Sequence, residues 1–143
     1  MTQLTLDKAR TIIRETILKG YAEGYKPLSV VVLDAGGHVV AFERTDGASP
    51  GRFGIAQGKA YGAVMLGIGG RAILARAENQ VYFPLALNGV YDGKLVPVPG
   101  GILLRAEEDG PVIGAVGVTG DTSDNDVVAG LAGIEAAGLL GEA

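Results

Sequence analysis

The sequence predicts an α/β fold of the α+β kind: a mainly antiparallel sheet of about five strands flanked by helices. Three observations predict it. Two β-branched runs flank Gly36-Gly37, and two more flank Asp109-Gly110, so each pair reads as a β-hairpin. Helix-spaced apolar residues open the chain, and a capped helical pattern closes it. The order is therefore helix, two strands, helices, two or three strands, helix.

Taken in order, Ala9, Ile12, Ile13, Thr16, Ile17 and Tyr21 form one apolar stripe. Thr5 suits its N-cap, Asp7 its first turn and Gly24 its C-terminal stop. Leu28–Asp34 and His38–Arg44 are the first strand pair. Strict alternation in the second puts His38, Val40, Phe42 and Arg44 on one face. Thr45–Pro50 is a polar connection. A helix begins near Arg52, with Gly54, Gly58 and Gly62 four apart on a single ridge. Glycine costs about 1 kcal/mol against alanine in a helix, so the ridge predicts close approach of a backbone or a ligand.

Gly67–Gly70 interrupts that helix. Arg71–Glu78 and Val81–Asn88 read as two further short helices. Lys94–Val98 reads as extended, Gly100–Arg105 and Val112–Thr119 as the second hairpin. Ser123–Gly138 is the last helix, with Ser123 and Asp126 as its capping pair. Residues 1–143 form one domain, near the usual size for one.

Composition excludes several classes. There are no cysteines, which removes disulfides, thiolate metal sites and thiol catalysis. The net charge of −4 leaves no basic stripe for nucleic acid. No stretch is apolar for long enough to span a bilayer, and the first residues lack a signal-peptide pattern, so the expectation is a cytoplasmic protein without a membrane partner.

Few side chains can carry chemistry. His38 is the single histidine, read either as a solvated residue at a hairpin start or as a ligand or proton carrier. Arg44 and Asp46 flank a turn before Gly47. Lys59 lies among Ile55, Ala56, Ala60 and Ala63, where a cation needs a partner. That partner is expected to be Asp46 or Glu43, or else an anionic ligand. Arg71 either caps a helix end or grips a carboxylate. Asp121, Thr122, Ser123, Asp124, Asn125 and Asp126 form an oxygen cluster that helix capping explains. Its spacing lacks a calcium loop.

Several motifs together resemble one family. They are Asp34-Ala35-Gly36-Gly37-His38, Glu43-Arg44-Thr45-Asp46-Gly47-Ala48, Gly58-Lys59-Ala60-Tyr61-Gly62-Ala63, Pro97-Val98-Pro99-Gly100-Gly101 and Ile113-Gly114-Ala115-Val116-Gly117-Val118-Thr119-Gly120. In order and spacing they are similar to the GlcG/HbpS-like haem-binding or haem-degrading-type domains, which also form the C-terminal part of PduO-type proteins. Val127 departs from the pattern, which favours an acid there. The resemblance implies a profilin-like sandwich and a homo-oligomer, tetrameric or octameric. It implies haem as cofactor for some members, and roles in small-molecule catabolism.

Three functional expectations follow. The first is a small-molecule-binding accessory protein of a catabolic pathway that takes haem or another planar ligand, with His38 as the metal ligand. Its site would lie between the sheet and the glycine-ridged helix, beside Gly58, Gly62, Gly100 and Gly101. The second is a cofactor-independent lyase, decarboxylase, isomerase or hydrolase acting on a small organic acid or aromatic catabolite. Arg44, Arg71 or Lys59 would hold the carboxylate, and Lys59, Asp46, Tyr61 or His38 would move the proton. The third is an assembly subunit without a ligand site.

Overall fold

The structure, a computed structural model, describes residues 3–143. Ten elements follow one another: α1 (Leu6–Glu23), β1 (Ser29–Asp34), β2 (Val39–Arg44), α2 (Arg52–Leu66), α3 (Gly70–Asn79), α4 (Tyr82–Val90), β3 (Gly101–Arg105), β4 (Val112–Thr119), α5 (Ser123–Ala136) and β5 (Leu140–Glu142). The strands form one sheet in the order β2-β1-β4-β3-β5. Every neighbouring pair is antiparallel.

Alternation along the strands divides the core in two. Val30, Val32, Ile102, Leu104, Val116 and Val118 face α1 and α5. Val31, Leu33, Leu103 and Ala115 face α2, whose small residues Ala56, Ala60 and Ala63 let it lie close on the sheet. A Cβ at Gly117 would collide with the carbonyl oxygen of Ala56, so the small-residue helix and the strand glycine are one packing device. The result is a three-layer sandwich with the sheet in the middle.

The α1 stripe is buried at Ala9, Ile12, Ile13 and Thr16. Tyr21 lies outside it and is exposed; Gly20 instead packs against Leu28. Thr5 Oγ1 accepts the Lys8 N–H at 3.1 Å, and Gly24 ends the helix at φ 73. Both hairpins form as expected.

Four expectations are corrected. The register shifts between Val32 and Leu33: Ala41 opposes Val32 and Val39 opposes Leu33. The extra residue Val40 breaks the alternation, so His38 and Arg44 do not share a face. Lys94–Val98 is not a strand. It crosses α2, where the Val96 N–H donates to the Gly58 carbonyl at 3.2 Å. The N-cap of α5 is Thr122, whose hydroxyl accepts the Asn125 N–H, and not Ser123. That helix ends at Ala136, and a short strand, β5, follows it.

Candidate functional site

The residues singled out from the sequence fall into two separate places. The interior one centres on Lys59. Its side chain is only 3% exposed, and Nζ donates to Asp126 Oδ2 at 3.1 Å and to the Val118 carbonyl at 3.0 Å. The expected partners Asp46 and Glu43 are instead exposed at the far end of β2. Asp126 Oδ1 accepts the Asp121 N–H at 3.0 Å, so both carboxylate oxygens are used. Burial pushes the Lys59 amine below its ordinary pKa and the Asp126 carboxyl above its own; their mutual attraction offsets part of each shift.

The glycines of the sequence reading surround this lysine and its helix. At Gly100 a Cβ would fall 2.9 Å from Lys59 Nζ, and at Gly101 it would meet the Lys59 carbonyl. Gly58 and Gly62 face Val96 and Leu95, whose side chains fill the space beside them. Gly54 faces open space. The gap between sheet and ridged helix, where a planar ligand was expected, is therefore occupied by the chain itself.

Other cations near the pair are matched as well. Arg52 Nη1 donates to Thr119 Oγ1 at 2.9 Å, and Arg71 Nη1 pairs with Asp124 Oδ1 at 3.0 Å. Lys59 and Arg71 thus both reach the first turn of α5, but each meets its own acid there. Arg44 lies exposed at the end of β2 and does not join them.

The second place is the β1–β2 turn. Gly37 adopts φ 83, which a side chain rarely tolerates, and it packs on Tyr61 and Met65 of α2. Tyr61 meets Tyr91 edge-on with ring centroids 5.8 Å apart and lies under the Lys94 ammonium. The turn is pinned by Asp34, whose Oδ1 accepts the N–H groups of Gly36 and His38, both at 2.9 Å. The same oxygen lies 3.2 Å from His38 Nδ1. Partial burial alone would raise the Asp34 pKa. The two amides and the imidazole outweigh it and hold the carboxyl below its ordinary value.

His38 is 81% exposed at its side chain. With Nδ1 turned toward Asp34, Nε2 is the nitrogen left for a ligand. The ring borders an open groove of about 560 Å³, walled by Leu4, Ala35, Pro111, Val112 and Ile113. This wall was not anticipated from the sequence, because Pro111–Ile113 lies more than seventy residues from the turn and reaches it only through the β1–β4 pairing. Among the described residues, no group of three or more His, Cys, Asp or Glu side chains is placed to hold a bare metal ion. A prosthetic group that brings its own equatorial ligands needs only one such donor.

Comparison with known proteins agrees with this architecture. Among curated protein sequences none matches the chain. A PduOC–haem complex superposes with a TM-score of 0.82 at 22% identity, covering 99% of this chain and 100% of that one. HbpS gives 0.79 at 26% identity, covering 94% and 90%. The Klebsiella pneumoniae protein ORFY gives 0.81 at 24%, covering 96% and 92%. These likenesses establish the profilin-like fold. The family model described as haem-degrading protein HbpS-like matches residues 4–135, nearly the whole chain, and the chain belongs to that family.

Proposed function

We propose that this chain binds haem, or a planar ligand of similar chemistry, through His38, as an accessory protein of small-molecule catabolism. One observation carries the reading: the imidazole is oriented by a carboxylate at Nδ1 and presents Nε2 beside an apolar groove. A carboxylate behind a ligating imidazole fixes its tautomer and raises its basicity. The groove offers apolar contact to a macrocycle, and its open side leaves polar substituents in water. Haem would supply a redox-active iron; His38 Nε2 would hold it, Asp34 would orient the ring, and the apolar groove would shelter the ligand from water. Family membership supports the same ligand class. The catabolic role rests on the family alone, and a cytoplasmic location rests on composition.

Titration of the purified protein with haemin tests this. A shifted Soret band that His38→Ala abolishes is the expected result. Asp34→Asn should retain the band but weaken binding about 10-fold, the usual scale for loss of such a supporting carboxylate. A Soret band indifferent to His38→Ala removes His38 as the ligand and the β1–β2 groove as the site.

A further inference from the structure

The groove beside His38 shelters a ligand without enclosing it. Three pieces of chain make its walls: the β1–β2 turn, Pro111–Ile113 at the start of β4, and Leu4 ahead of α1. Leu4 Cδ2 fills the notch left by the missing Cβ of Gly114, which seats that wall on the sheet. A pocket that retains a small molecule buries about 70–90% of it, and an axial ring inside such a pocket is buried too. Here the imidazole stays 81% in water, and Ala35, Gly36 and Pro111 beside it are exposed as well.

Charge and donor supply point the same way. Among the described residues lining the groove there is no lysine or arginine, and Asp34 is an anion. Haem carries two carboxylates, which a guanidinium grips in two prongs where a site is built to keep them. In this groove they meet water and the like charge of Asp34. Met65, whose thioether is a possible second donor, packs against Gly37 from α2 and does not line the groove. The described residues therefore offer the metal one nitrogen, on an exposed ring.

We propose that this chain is a haem carrier: it holds the macrocycle through His38 Nε2 and passes it to an apo-protein whose pocket encloses it. The inference rests on the haem reading above. In the hand-over, His38 Nε2 recovers the electron pair it shared with the metal, and a donor atom of the acceptor supplies another. The metal keeps its oxidation state, so no oxidant or reductant takes part. Asp34 holds the Gly36 and His38 amides with or without a ligand, so the emptied site keeps its shape and can reload.

The experiment loads the whole chain with equimolar haemin and mixes it with excess apomyoglobin, an acceptor with an enclosed pocket. The growing holomyoglobin Soret band reports release. Transfer should finish within about a minute, at the short end of the range of residence times. Haemin affinity should change less than ~2-fold between low and high salt, because no exposed ion pair holds the ligand. Leu4→Ala thins one wall and leaves the ligating nitrogen in place. It should speed release about 10-fold without moving the Soret band of the loaded chain. Retention for about an hour or longer, an affinity that falls steeply with salt, or release indifferent to Leu4→Ala would each overturn the carrier while leaving His38 as the ligand. Failure of the wild type to shift the Soret band on loading would remove the haem reading itself, and the carrier with it.

Discussion

Two pairs of a carboxylate with a side-chain nitrogen have opposite fates in this molecule. Lys59–Asp126 is sealed between α2, β4 and α5, with the side chains 3% and 1% exposed. Asp34–His38 stands at a turn, with 81% of the imidazole surface in water. Each carboxylate also accepts a backbone N–H, so the local chemistry is similar. Burial separates them. The sealed pair ties three elements of the fold together and is shut away from solvent. The open pair holds a ring in one orientation and leaves its second nitrogen available. A charged residue in an apolar helix therefore points to a partner inside the fold, and an exposed histidine with an oriented ring points to a ligand outside it.

The largest test of this contrast is Lys59→Met. It leaves the Asp126 carboxylate buried without its cation, and such losses cost about 3–5 kcal/mol. Urea denaturation should show that loss, and Lys59→Met with Asp126→Leu should recover much of it, because removing both charges also removes the burial penalty. A single variant as stable as the wild type would mean that the pair is not a strut.

Next in size is a pair of glycine replacements. Gly101→Ala drives a Cβ into the Lys59 carbonyl, a backbone clash beside the sealed pair that should cost about 1–3 kcal/mol. Gly36→Ala crowds the exposed His38 ring, at 2.9 Å from Cε1, and meets Asp34 Oδ1 only at an ordinary 3.4 Å. The ring can swing away, so stability should change by less than ~0.5 kcal/mol, whereas haemin affinity should fall as the imidazole leaves Asp34. Thermal melts and Soret titrations on the two variants separate these outcomes. Equal stability losses would erase the distinction between the two regions.

How much of this was legible in the sequence depends on the range of each interaction. The hairpins were, because Gly36-Gly37 and Asp109-Gly110 carry their turn chemistry locally; Asp109 adopts φ 58. The register shift at Val40 was not, since a bulge depends on the partner strand. β5 was missed because three residues after Gly138 show no periodicity. Lys59 was recognised as needing a partner, but the partner lies 67 positions away on α5. Asp126 had been absorbed into the capping cluster, which is half of its role: one oxygen does serve the Asp121 amide at the helix start. A sharper sequence signal was present. Asp126 shares a helix face with Val127, Gly130 and Ile134, all buried, and an acid on the inward face of a helix matches a lysine on the inward face of another. Pro111–Ile113 beside His38 left no such trace, because an apolar wall made by strand pairing looks like any other strand.

The smallest expected effect concerns acid. Asp34 is held below its ordinary pKa in the folded chain, so it binds its proton more weakly folded than unfolded. Its contribution is fully present above the unfolded value and is lost as pH falls through the folded one, which sets the window below about pH 4. Asp34→Asn should therefore cost a little stability at neutral pH, and that cost should fade as pH falls through the window, which flattens the acid limb. Taking the difference between the two curves cancels Asp121, which Lys26, Asn125 and Thr122 hold at about 2 in both proteins. The Lys59–Asp126 pair also cancels, since neither variant touches it. A difference that persists below that window, where both side chains are neutral, would mean that Asp34 supports the turn through its geometry, whatever its charge. The open pair would then resemble the sealed one more than its exposure implies.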